Sequence, residues 1–180
     1  MIAIIGLGNP EEKYELTRHN VGFLAINNIA STASFPPLSL NKTLLSLQSQ
    51  SMLHGKDVII MNPQTYMNKS GKAAKAILSY RKIPPSSLIV IHDDIDIPFG
   101  EARTVFNRGS AGHRGIDSVI QELGTQAFWR MRIGVLPATG KPQDTDKFVL
   151  SRFSSQEQEE LPRILEKIRE EIDKILESLE

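Results

Sequence analysis

The chain opens on an unbroken apolar run, Ala3–Gly6, halted by Gly6, Gly8 and Pro10, and this predicts a short buried strand. Val21, Leu24, Ala25 and Ile29 then fall on one side of a helix over Val21–Ser31, and Pro36 and Pro37 mark a loop. Thr43–Leu53 and Asp57–Met61 read as strands parted by the turn residues His54 and Gly55. Asn68–Tyr80 has a helical pattern that Asn68 or Ser70 is placed to cap, and Pro84 and Pro85 close it. The branched run Leu88–His92 predicts a central strand that ends at the acids Asp93, Asp94 and Asp96. A strand at Ala102–Phe106 and a loop holding Gly109, Gly112 and Gly115 lead to a helix at Ile116–Leu123. Trp129–Val135 alternates apolar and basic residues, as a half-buried strand does.

The last helix has the clearest periodicity. Leu161, Leu165, Ile168, Ile172, Ile175 and Leu179 recur at three- and four-residue steps, and Ser154 with Glu157 fits a capping box. Pro162 suits a first turn or a break. An amphipathic helix is therefore expected at about 155–180. Strands alternating with helices predict an α/β layered fold, and 180 residues suit one domain.

Composition narrows the function classes. The 40% hydrophobic and 23% charged content is that of a globular chain. With no cysteine, disulfides, thiolate nucleophiles and cysteine metal sites are excluded, and a reducing cytoplasm is the expected compartment. The N-terminus lacks the basic leader of a signal peptide, and no apolar stretch reaches the roughly 18–20 residues of a membrane span. The formal net charge is zero, yet residues 154–180 carry nine acids and four bases. The remainder is thus net positive, a body suited to a polyanion beside an acidic tail.

Four clusters carry candidate chemistry. Gly6-Leu7-Gly8-Asn9-Pro10 permits close backbone approach to a ligand, but Pro10 and Glu11 break a dinucleotide fingerprint. Thr17-Arg18-His19-Asn20 follows, and His19 is the best general-base candidate because imidazole titrates near working pH. In Asn62–Gly71, Asn68 either caps a helix or meets a substrate amide, ester or ribose, and Tyr66 either packs or binds. His92-Asp93-Asp94-Ile95-Asp96 sits where ligands collect in open α/β sheets. There a carboxylate is placed either to orient a histidine or to join others around a hard cation such as Mg²⁺. In Gly109–Gly115, the backbone N–H groups suit an anion, and His113 is either functional or structural.

Taken in order, these clusters resemble the bacterial peptidyl-tRNA hydrolase family. The resemblance runs through Gly6–Pro10, Thr17–Asn20 and Met67-Asn68-x-Ser70-Gly71. It continues through His92-Asp93-Asp94-x-Asp96-x-Pro98-x-Gly100, Gly112-His113 and Arg130-x-Arg132-Ile133-Gly134, spanning about residues 1–153. It implies a monomeric single domain with a twisted mixed β-sheet flanked by α-helices, and an esterase that frees tRNA from peptidyl-tRNA without metal or cofactor. It implies that His19 deprotonates the attacking water, that Asp93 holds the imidazole and that Asn9 distinguishes a blocked α-nitrogen. Tyr14, Tyr66 and Asn68 would contact the tRNA end or the substrate beside the ester. Glu11 departs from the family's usual Gly and Arg114 from its usual Asn, so no substrate role passes to Arg114. Lys69, Lys72, Lys75, Arg103, Arg108, Arg130 and Arg132 are then candidates for a shallow tRNA-backbone patch. Two rival readings stand beside this one: a metal-dependent phosphohydrolase on Asp93, Asp94 and Asp96, and a non-catalytic RNA-binding module.

Overall fold

Strand β1 (Ile2–Gly6) is apolar along its whole length because it is buried on both faces between parallel neighbours. In the computed structural model, which describes residues 1–179, it lies at the centre of a seven-stranded mixed sheet. The other strands are β2 (Ser39–Asn41), β3 (Ser46–Leu53), β4 (Lys56–Pro63), β5 (Leu88–Pro98), β6 (Ala102–Phe106) and β7 (Trp129–Leu136). Their order is β2-β3-β4-β1-β5-β7-β6. The central strands β4, β1, β5 and β7 run parallel, and the two edges are antiparallel.

Side-chain alternation divides the core in two. Ile2, Ile4, Ile89, Ile91, Met131 and Ile133 face helices α1 (Val21–Thr32) and α5 (Ser155–Ser178). Ala3, Ile5, Ile59, Met61, Leu88 and Val90 face α2 (Ser70–Arg81) and α3 (Arg114–Leu123). A fifth helix, α4 (Thr145–Val149), is a single short turn before α5. The expected single α/β domain is present, and among the described residues no helix is long and apolar enough to cross a membrane.

Several boundaries differ from expectation. β5 does not stop at His92 but runs to Pro98, because each acid in it has its own partner. β3 begins at Ser46, after a turn in which Leu45 has φ +54°. The three-residue edge strand β2 and the short α4 have too few periodic positions to be read beforehand. Neither Asn68 nor Ser70 caps α2; a 3₁₀ turn, Met67–Lys69, leads into it, and Ser70 Oγ donates to the Met67 carbonyl. The capping box of α5 is present, with Ser154 N to Glu157 Oε2 at 2.6 Å. The helix continues through Pro162, which sits in its second turn rather than at a start or a break. The helix is described to Ser178, and position 180 of the expected span lies outside the described residues.

One close approach sets the position of the site. A Cβ at Gly22 would lie 2.4 Å from Leu7 N and 2.5 Å from Ile91 O, so the first turn of α1 rests directly on main chain just past the end of β1 and within β5. This contact brings the turn before α1 next to the middle of β5, where Asp93 lies. Gly22→Ala is therefore expected to cost at least about 3 kcal/mol, the upper part of the overpacking range. Its urea midpoint should fall accordingly, and an unshifted midpoint would show that the helix can withdraw freely.

Candidate active site

Asn9 leaves β1 in a turn held from both sides. The Asn20 side chain donates to the Asn9 carbonyl and accepts from the Asn9 amide, each at 2.9 Å. The Asn9 Oδ1 in turn accepts from Met67 N at 2.9 Å. These bonds assign the amide orientation. They leave Asn9 Nδ2 without a partner among the described residues, on a side chain that lines a cleft.

Arg18 anchors the next segment. It is 7% exposed, and its guanidinium is paired with Glu157 Oε2 at 2.5 Å. It also donates to Ser151 Oγ at 2.7 Å and to the Arg152 carbonyl at 2.8 Å, and it stacks 4.2 Å from the Phe148 ring centre. A bridge between Thr17 and Arg152 adds a main-chain tie. The 3₁₀ turn Arg18–Asn20 is thereby fixed, and His19 projects from it.

His19 Nδ1 lies 2.8 Å from Asp93 Oδ1, and His113 Nε2 reaches the same oxygen at 2.9 Å. Burial works to raise the Asp93 pKa, but the facing imidazoles of His19 and His113 hold it well below the usual carboxylate range. As an ionised acceptor, Asp93 places the His19 proton on Nδ1 and leaves Nε2 with its lone pair. Burial also works to lower the His19 pKa. The charge and hydrogen bond of Asp93, with a smaller contribution from Asp146, outweigh burial and the opposing charge of Arg114, so the net shift is upward. His92 is fully buried and pushed well below the ordinary value, first by burial and then by His113.

The cleft holds about 610 Å³. Asn9, Tyr14, His19, Tyr66, Asn68 and Asp93 all line it, so the six residues chosen from the sequence come together in one place. Asn68 is exposed and caps no helix, so its amide is open to the cleft. Tyr66 is not a packing residue: it is 50% exposed and donates to Glu11 Oε1 at 2.7 Å. Glu11 thus connects the first loop to the cleft wall.

The three β5 acids do not converge. Asp93 serves the histidines, Asp94 pairs with Arg132 at 2.8 Å, and Asp96 pairs with Lys141 at 2.6 Å. A common cation site on them is therefore not formed. The basic patch also needs correction. Arg130 is 2% exposed, with no partner for its Nε among the described residues, and Arg132 is committed to Asp94. Lys69, Lys72 and Arg108 are exposed, as are Lys75 and Arg103, which pair at the surface with Glu122 and Glu101. Arg114 is exposed at the mouth of the cleft and pairs with Asp146 across it.

Sequence reasoning left the role of His113 open. Its Nδ1 accepts from Gly115 N and Ile116 N, which starts α3 two residues earlier than expected. Imidazole is not among the preferred N-caps, so no propensity pointed to it. The Arg18–Glu157 pair joins positions 139 apart, and no local pattern could signal it.

A model of the family described as "Peptidyl-tRNA hydrolase" matches residues 3–180. The peptidyl-tRNA hydrolase of Geotalea daltonii is 41% identical over 165 residues, covering 91% of this chain and 83% of the relative. That of Chloroflexus aurantiacus is 41% identical over 180 residues, covering 98% and 93%. The crystal structure of peptidyl-tRNA hydrolase from Acinetobacter baumannii superposes with a TM-score of 0.85 at 29% identity, over 94% of this chain and 87% of that one.

Proposed function

The chain belongs to the peptidyl-tRNA hydrolase family and hydrolyses the ester of peptidyl-tRNA, and on that premise we propose that His19 is its general base, Asp93 its partner and Asn9 its reader of the blocked substrate end. One observation carries this assignment: His19 Nδ1 is bound to Asp93 at 2.8 Å on a ring whose Nε2 makes no hydrogen bond to any described residue and which lines the cleft.

In this mechanism His19 Nε2 takes a proton from water as the water oxygen attacks the ester carbonyl carbon. Asp93 stabilises the imidazolium that results. The tetrahedral oxyanion needs a donor, and the open amide of Asn68 is positioned to serve. Collapse breaks the bond to the ribose oxygen, which leaves with the proton returned by His19, so peptide acid and tRNA are the products. With Asn9 Oδ1 committed to Met67, only its Nδ2 donor faces substrate. A donor there suits the carbonyl of a blocked α-nitrogen and offers nothing to a free ammonium.

Tyr14 and Tyr66 supply aromatic faces at the cleft for the unpaired tRNA end. Lys69, Lys72, Lys75, Arg103 and Arg108 supply exposed charge for phosphates. A monomer in the cytoplasm completes the reading: a chain with no cysteine suits a reducing compartment, and one chain supplies the whole cleft.

The test compares N-acetylated with free aminoacyl-tRNA in the presence of EDTA. The blocked substrate should be hydrolysed at an undiminished rate, and Asn9→Ala should narrow its advantage over the free one by about tenfold, the worth of one hydrogen bond. Activity lost to the chelator and regained with divalent ions would overturn the metal-free mechanism. An unchanged ratio in Asn9→Ala would remove Asn9 from recognition.

A further inference from the structure

Two backbone amides decide which nitrogen of His113 carries its proton. Gly115 N and Ile116 N, in the first turn of α3, both point at His113 Nδ1, at 3.1 and 3.3 Å. An amide N–H can only donate, so Nδ1 must present its lone pair. The ring proton then sits on Nε2, directed at Asp93 Oδ1 2.9 Å away. His19 Nδ1 approaches the same oxygen at 2.8 Å. One carboxylate oxygen of Asp93, a residue only 2% exposed, therefore accepts from two imidazoles on separate elements.

We propose that His113 is a positioning residue for the reaction: held in the Nε2–H tautomer by the start of α3, it donates permanently to Asp93 and so limits how strongly Asp93 can draw a proton onto His19. This deepens the general-base reading above and rests on it. The chemistry follows from competition at one acceptor. An oxygen that already accepts a hydrogen bond offers less negative charge to a second donor. Without His113, Asp93 would stabilise the His19 imidazolium more fully, and the base would remain protonated, hence inactive, to a higher pH. A base works best when its pKa lies near the working pH.

The groups facing this pair are few. Asp93 comes from β5, His113 from the loop before α3, Arg114 from α3 itself and Asp146 from α4. The His92 ring lies 4.6 Å from His113, edge to face. Asp146 and Arg114 are paired with one another, which leaves Asp93 as the dominant charge on His19. The same tautomer argues against a cation between His19, Asp93 and His113. Their nearest ligand atoms lie within 4.8 Å of one another, but His113 Nε2 has no lone pair to give while its Nδ1 serves the helix.

His113→Asn separates the two tasks, because asparagine is a favoured N-cap yet too short to reach Asp93. Two readouts are followed in the full-length variant: the NMR titration of the His19 ring and the pH profile of kcat/KM on N-acetylaminoacyl-tRNA. The His19 titration should move up by about half a unit to one unit, with thermal stability retained. The acid limb of kcat/KM should move with it. A His19 titration that stays in place overturns the proposal. A titration that moves while the kinetic limb stays put supports it and instead counts against His19 as the base. Nitrogen-15 shifts of the wild-type ring give a check that needs no variant: the Nε2–H form is expected, and the Nδ1–H form would refute the assignment.

Discussion

His19→Ala should lower kcat/KM on N-acetylaminoacyl-tRNA by about 10²–10⁴-fold, the usual worth of a positioned base. The ring lies at the edge of the cleft rather than in the core, so its removal leaves both halves of the sheet packing intact. The loss should appear in kcat more than in KM, since the base acts in the transition state. The pH dependence gives a second check. The folded His19 pKa is raised above the ordinary 6.5, so its neutral, proton-accepting form dominates only above that raised value. Activity should fall as pH drops through it. Stability runs the other way. A raised pKa contributes fully below the unfolded value and is lost as pH rises through the folded one. His19→Ala should therefore cost more stability in mild acid than above neutrality. A folded variant with near wild-type turnover would end the assignment.

The second large effect is expected far from the reacting atoms. Arg18→Ala should cost about 3 kcal/mol, the lower end of the range for breaking a buried pair, because it leaves the partly buried Glu157 without its counter-charge. The Glu157 side chain is 14% exposed and the Arg18 side chain 8%. Activity should drop as well, since the turn carrying His19 would lose its ties to Ser151 and Arg152. Arg18→Lys should not rescue the variant, because an ammonium cannot replace the two-pronged contact with Glu157 and the stack on Phe148. Urea unfolding of the single variants and of the Arg18→Ala, Glu157→Ala pair measures the coupling directly. Additive losses would show that the pair does not act as a unit.

The central strands were legible because burial on both faces leaves an uninterrupted apolar run, as in Ile2–Gly6 and Leu88–His92. The last helix was legible because one buried stripe, Leu161 to Ile175, repeats over many turns. The reading failed where polar residues are satisfied at long range. Asp93, Asp94 and Asp96 look like the end of a strand, since unpartnered charges leave sheets. Here partners 38 to 74 positions away let the extended backbone continue. Arg130 looks like a surface base in an alternating strand, yet it is buried within β7. The six site residues could be named because their motifs resemble those of one family. Their convergence is a product of the fold, and the roles of His113 and Arg18 depend on partners that spacing alone does not reveal.

The tie between Arg18 and the cap of α5 also orders events in time. Its partners are made 133 to 139 residues after it, so during translation the first strand and the histidine emerge long before the groups that hold them. A nascent chain still short of Glu157 lacks the carboxylate that clamps the turn carrying His19. The turn that carries His19 thus gains its clamp only once the segment holding Glu157, 139 positions further on, has been made.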